Sequence, residues 1–224
     1  WLNLERWRTC ARPEVRMEAF AGQDCWVALD AASKVDMVSM TIIFRSGKEH
    51  HLFARHYLPE DTIALPHNSQ YRKWRDAGRI IETPGARIDF TVIEDDLKEL
   101  AGRYRVQQFA YDPKELNDFV NRVLLWAGFG LVEIIQSPQN MSEPAKEMEA
   151  KINAGTFLHE GCPVMAWMAS NAILKEARSG GPIKYYFVTK AKAELKIDGI
   201  VSAIMAERLA MFAPESSSGG IEFF

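Results

Sequence analysis

The sequence predicts a mixed α/β fold: a sheet of five or more strands, partly antiparallel and partly parallel, with helices on both faces. Three observations predict it. Between residues 25 and 57, three apolar runs follow one another with only short polar breaks, the pattern of an antiparallel meander. From 106 to 153, strand-length apolar runs alternate with segments of helical spacing, which implies parallel strands. A last segment, DGIVSAIMAERLA, has the apolar–polar pattern of an amphipathic helix.

Taken in order, residues 1–21 are mixed and Arg-rich, with Trp1, Leu2, Leu4 and Trp7 as apolar anchors, and read as a connecting segment with a short helix. Cys25 to Leu29 is a buried strand, and Ala31 to Asp36 a turn. Met37 to Arg45 and His50 to Tyr57 are the next two strands, joined by the turn Ser46-Gly47-Lys48. The stretch 58–87 is irregular, punctuated by Pro66, Gly78, Pro84 and Gly85, with a short helix around Gln70 to Ala77. Asp89 to Tyr104 is helical because Val92, Ile93, Leu97 and Leu100 recur at helical spacing. Strand Val106 to Tyr111, helix Lys114 to Ala127 and strand Leu131 to Ile135 follow. A helix from Ser142 to Asn153 is opened by Ser142-Glu143-Pro144. A strand pair is expected at Asn171 to Glu176 and Ile183 to Val188, parted by Ser179-Gly180-Gly181. Asp198 to Met211 is the last helix, and the Ser/Gly-rich tail, 214–224, is expected to be flexible. This order is the one expected of an RNase H-like fold.

At 224 residues and 47% hydrophobic, the chain can bury a substantial core without disulfide staples, as one large domain or two small ones. A net charge of −3 excludes a uniformly basic nucleic-acid glove. Any contact with DNA then falls to a local face, for which Arg72, Lys73, Arg75, Arg79 and Arg87, and Lys184, Lys190, Lys192 and Lys196, are the candidates; each also reads as an ordinary solvated charge. Cys10, Cys25 and Cys162 are odd in number and lack CxxC spacing, which argues against a zinc site or disulfide framework and suits a reducing cytosol. No apolar run reaches the roughly 18 residues of a membrane span, no signal-peptide pattern is evident, and no membrane association is expected. The first residue is Trp1 rather than Met, from which a fragment of a longer protein is expected. No G-x-x-x-x-G-K-[ST] loop occurs, since Ser46-Gly47-Lys48 lacks the preceding glycine, so no P-loop ATPase is expected within these residues.

The residues that point to chemistry are three aspartates on three separate elements. Asp30 ends CWVALD, Asp112 ends QQFAYD and Asp198 opens the last helix. A carboxylate at the end of an apolar strand is costly unless something partners it. If the strands of Asp30 and Asp112 are neighbours, and the last helix crosses the sheet, the three converge into an oxygen cage suited to hard divalent cations and phosphate. Two Mg²⁺ or Mn²⁺ ions would relieve the repulsion, activate a water and stabilise the leaving 3′ oxygen. Each aspartate also has a structural reading: Asp30 as a turn residue, Asp112-Pro113 as a turn starter, Asp198 as a helix N-cap. Asp36, across the turn from Asp30, is a peripheral candidate ligand. Asp95 and Asp96 read as a solvated helix face. His159, in FLHEGCPV, would orient a water or contact phosphate, or else serve as a capping or surface residue. His50, His51 and His56 read as polar residues of an edge strand rather than a zinc site.

These residues resemble the C-terminal nuclease domain of the large subunit of tailed-phage terminases, over roughly Trp1 to Ala210. ALDAASKVDMVSM resembles that family's first metal-ligand strand, with Asp36 as its second aspartate, and TPGARIDF resembles the segment before its central helix. FAYDP is similar to the strand with the second acidic ligand. LHEGCPVMAWMASN is similar to the His–Gly–Asn–Pro…Trp…Asn signature at His159, Gly161, Pro163, Trp167 and Asn171, and KIDGIVSAIMA to the final motif, with the third ligand at Asp198. Cys162 stands where Asn is common, and Ser202 where Ala is usual.

The resemblance implies a metal-dependent endonuclease, from a phage or prophage, that cuts concatemeric double-stranded DNA during genome packaging in the host cytoplasm. Asp30 would be shared by two Mg²⁺ or Mn²⁺ ions and flanked by Asp112 and Asp198, with Lys190 to Lys196 near the DNA backbone. The implied partners are double-stranded DNA, an upstream ATPase domain of the same protein joined through residues 1–21, the small terminase subunit and the portal. The nuclease domain would span 22–213. Two other readings stay open: another RNase H-like nuclease of the junction-resolvase or transposase type, and a non-catalytic module docking DNA or the portal.

Overall fold

The meander forms as expected. In the computed structural model, which describes residues 1–31, 36–177 and 184–213, β1 (Asp24–Ala31), β2 (Val38–Ser46) and β3 (Glu49–Pro59) pair antiparallel in sequence. The β2–β3 hairpin turns at Gly47, whose φ of 58° is open to glycine at no steric cost. On the other side of β1, β5 (Arg105–Tyr111) and then β6 (Gly130–Glu133) run parallel to it. Two three-residue strands, β4 (Ile81–Thr83) and β7 (Phe157–His159), both lie against β3, completing a seven-stranded sheet of order β4-β3-β2-β1-β5-β6 with β7 beside β3. The five strands expected in the sheet are present; the two extra ones are too short to show a period. β3 is therefore an interior strand along much of its length, and His50 and His56 are buried rather than placed on an edge, which corrects the sequence reading. The expected strand pair, β8 (Ala172–Ala177) and β9 (Tyr185–Lys190), forms a separate two-stranded sheet. Most of the 31–36 turn, Ser179-Gly180-Gly181 and the tail lie outside the described residues.

Helices cover both faces. On one pack α4 (Phe90–Arg103) and α5 (Pro113–Leu124), through Leu97, Leu100, Phe119 and Val123. On the other lie α1 (Leu4–Thr9), α6 (Pro138–Ala154), α7 (Pro163–Asn171) and α8 (Asp198–Phe212). The short α2 (Glu60–Ala64) and α3 (Ser69–Asp76) follow β3. Residues 1–21 pack onto this body: Leu2, Trp7 and Cys10 are buried in the core, each large apolar side chain contributing about 1.5–3 kcal/mol.

The helices α2 and α7 were not expected, and two of the expected helices differ in detail. α6 starts four residues before Ser142: the Ser137 hydroxyl accepts from the Asn140 N–H, and Pro138 occupies the first turn. Pro144 consequently falls inside the helix and cannot donate to the carbonyl four residues back, Asn140. That carbonyl accepts instead from Arg208 Nη1 of α8 at 2.9 Å. α8 itself is not amphipathic but buried almost all round, enclosed by the sheet below and α6 and α7 above. Its last turn is held by Arg45, which donates to the Ala210 and Ala213 carbonyls, each at 2.9 Å.

Candidate metal centre

Strand register brings the first two aspartates together. Leu29 of β1 lies opposite Tyr111 of the parallel β5, and the next residues are Asp30 and Asp112, on neighbouring strands about 5 Å apart. This is the carboxyl end of the parallel strands, where open α/β sheets bind ligands. The third aspartate arrives on α8. Its first turn approaches α7 and β3 so closely that a Cβ on Gly199 would sit 2.5 Å from Met165 Sδ, 2.9 Å from Met168 Sδ and 3.0 Å from His56 Cε1. Asp198, one residue earlier, is left 5% exposed, as is Asp30.

The electrostatics tie these groups to one another. The Asp30 carboxyl is pushed well above the usual carboxylate range, first by burial, then by the negative charge of Asp198, with Asp112 adding to the effect and the Gln136 hydrogen bond opposing it. Asp198 is pushed up to about 6, first by burial; the charge of Asp36 raises it further, while its own backbone N–H, Lys196 and Lys190 act against the rise. Asp36 pairs with Lys196 Nζ, and its Oδ1 accepts from the Met37 N–H at 2.8 Å. The helix N-cap alternative fails for Asp198, since Ile197 holds that position; it is Asp112, read as a turn starter, that caps a helix, its Oδ1 accepting from the Lys114 N–H at 3.0 Å.

A residue that sequence reasoning missed joins Asp30 to Asp112. Gln136, in the loop between β6 and α6, donates from Nε2 to Asp30 Oδ1 at 2.7 Å and from its backbone N–H to Asp112 Oδ2 at 3.3 Å. Asp30, Asp112, Lys114, Asn117, Ile135 and Gln136 line an open cleft of about 630 Å³. The loop after a third parallel strand was the positional signal; a glutamine carries no chemical one. A second hollow of about 400 Å³, around Arg55 and Glu160, involves none of the aspartates.

His159 is not brought to the aspartates. It pairs opposite Leu52, four residues along β3 from His56, the position level with Ser39 and Asp30, hence about 13 Å along the strand and three strands away from Asp30. Its ring stacks on Trp7 at 4.2 Å, shares a 2.8 Å hydrogen bond with the Trp7 carbonyl and accepts from the Gly161 N–H at 3.1 Å. Burial lowers its pKa, so it is a neutral structural group here. Lys190 and Lys196 lie on the Asp198 side, Lys190 exposed at the end of β9. Ser202 is buried and active in packing: it donates to the Ala28 carbonyl at 2.9 Å and shares a 2.8 Å hydrogen bond with Thr41.

Among the described residues no three Asp, Glu, His or Cys side chains close on a single ion. The donor set nevertheless suits hard cations: it is all carboxylate, Asp30 is repelled by both Asp198 and Asp112, and Asp30 and Asp112 open to a cleft. Mg²⁺ in particular binds through one or two carboxylates and completes its octahedron with water and phosphate oxygens.

A model of the terminase large subunit endonuclease domain matches residues 1–213. The chain belongs to this family. It is 32% identical over 223 residues to Protein YmfN of Escherichia coli (strain K12), covering 94% of this chain and 48% of that protein. The terminase domain also superposes on the crystal structure of the HK97 bacteriophage large terminase with a TM-score of 0.80 at 22% identity, covering 93% of this chain and 43% of that one. The large terminase nuclease of thermophilic phage G20c with bound magnesium aligns at a TM-score of 0.52 and 10% identity, over 82% of this chain and 79% of that one. The fold is thus the RNase H-like fold of terminase nucleases, and the chain spans under half the length of YmfN and of the HK97 protein. No helix among the described residues is long and apolar enough to cross a membrane.

Proposed function

We propose that this terminase domain is a divalent-metal-dependent endonuclease that cuts concatemeric double-stranded DNA during viral genome packaging. The observation that carries the reading is the buried Asp30 carboxyl, raised by the charges of Asp198 and Asp112 and placed with Asp112 on one open cleft, an arrangement that multivalent cations would relieve. Asp30 stands between the other two: it would share an ion with Asp112 on the cleft side and another with Asp198 on the α8 side. Mg²⁺ or Mn²⁺ bound there would supply a water of lowered pKa and neutralise charge on the scissile phosphate. Asp36 is a peripheral carboxylate, restrained by Lys196. Lys114 and Asn117 on one wall, and Lys190 and Lys196 beside Asp198, are the donors available to the DNA backbone. His159 has no part in this reading, because its ring is committed to Trp7 and Gly161.

In the whole protein, residues 1–21 would connect an ATPase domain to the nuclease domain at 22–213. The small terminase subunit and the portal are the partners, and the host cytoplasm is the setting. The magnesium bound by the G20c nuclease supports the choice of ion. The test is cleavage of plasmid DNA with Mg²⁺ or Mn²⁺ by the wild type and by Asp30→Ala and Asp198→Ala. Loss of cutting in both variants is expected; cutting that persists undiminished in either overturns the assignment. Equal treatment of linear and supercoiled duplexes, without preference for four-way junctions, separates it from a resolvase.

A further inference from the structure

Among the described residues, Gln136 is the one side chain that touches Asp30 from the cleft while its own backbone holds Asp112. Its position has two consequences. Nε2 lies 2.7 Å from Asp30 Oδ1, an oxygen that a cation held by Asp30 and Asp112 would compete for. The donor is also a neutral amide, so it brings no positive charge that would repel an incoming cation. Asp36 differs, being paired with the full charge of Lys196. Little else retains the amide: its other contact is Met205 Sδ at 3.8 Å, a weak acceptor, and the residue is exposed, so a released amide finds water at once.

We propose that Gln136 is a placeholder that occupies Asp30 Oδ1 in the metal-free centre and yields its place there to an incoming divalent cation. The backbone bond to Asp112 stays through the exchange, so the loop between β6 and α6 need not move. The inference rests on the metal-centre reading above, and the experiment separates the two.

The side-chain amide signals of Gln136 are followed by ¹⁵N NMR in the 224-residue chain during Mg²⁺ titration, alongside calorimetric Mg²⁺ and Mn²⁺ binding. The amide is expected to shift toward the free-glutamine position with the same midpoint as the binding heat. Gln136→Leu, which keeps the volume and removes the donor, and Gln136→Ala are each expected to bind Mn²⁺ about three- to tenfold more tightly, a competing hydrogen bond to a charged group having gone. Metal-free melting identifies a variant that fails to fold, and the wild-type signal then decides alone. Ion binding with an unmoved Gln136 amide, or folded variants that bind no more tightly than wild type, overturns the proposal. A wild type that binds neither ion overturns the metal-centre reading and this inference with it.

Discussion

Replacing Asp198 by Asn should stabilise the metal-free protein. The Asp198 carboxyl is raised from 3.8 to about 6, chiefly by burial, and a group whose folded pKa exceeds its unfolded value binds its proton more readily in the folded state. Its contribution to stability is fully present below the unfolded pKa and is lost as pH rises through 6. A rise of roughly two units corresponds to about 3 kcal/mol lost by pH 8, and to about half of that at pH 5. Asn keeps the shape and has no charge to desolvate, so Asp198→Asn should recover up to this amount at pH 8. For a chain of this size, the gain is about 5–10 °C in melting temperature. The assay is thermal unfolding in EDTA at both pH values. A variant no more stable than wild type at pH 8, or a gap that does not narrow at pH 5, would refute the reasoning. Added Mn²⁺ should reverse the order, because wild type gains a ligand-linked stabilisation that the variant lacks.

Three further outcomes follow from the same packing. Gly199→Ala should cost about 1–3 kcal/mol, since its Cβ would crowd Met165, Met168 and His56; chemical denaturation measures it. His159→Ala should lower stability by about 2–4 kcal/mol through loss of the Trp7 stack and two hydrogen bonds, while DNA cutting per folded molecule stays at the wild-type level. His50→Ala strands the fully buried Glu207, whose Oε2 lies 2.6 Å from His50 Nδ1, and should cost about 3–5 kcal/mol; adding Glu207→Leu should restore part of the loss.

The parts of the fold legible in the sequence are those with a period or a punctuation mark. β1 to β3 showed as apolar runs around a glycine turn, and the parallel units as alternating runs and helical spacing. The start of α6 was misplaced because two Ser/Pro pairs compete, Ser137-Pro138 and Ser142…Pro144, and only tertiary structure reveals that Arg208 relieves the carbonyl orphaned by the second. β4 and β7 are too short to declare themselves. The aspartates were legible because a carboxylate ending an apolar run is conspicuous. Gln136 was not, since nothing in its own chemistry marks it and its role arises from where a loop lies. His159 drew attention as a reactive residue type, yet its neighbours, not its type, determine what it does.

The burial of α8 has a consequence for how the centre can adjust. Along its sheet-facing side Ser202 bonds Thr41 and the Ala28 carbonyl, and Glu207 bonds His50, all of them buried. Sliding or rotating the helix would separate these pairs away from water, at a cost of about 1–3 kcal/mol for each polar group left unsatisfied. Gly199 wedged against Met165, Met168 and His56 adds a steric stop at the N-terminal end, and Arg45 ties down the other. Asp198 is therefore fixed by the core rather than by its own side-chain contacts. Asp112 and Gln136, by contrast, face the cleft and are held by a cap and a loop. Any adaptation to a cation and a phosphate must come from that second side, with Asp198 on α8 and the buried Asp30 on the central strand β1 as the fixed references.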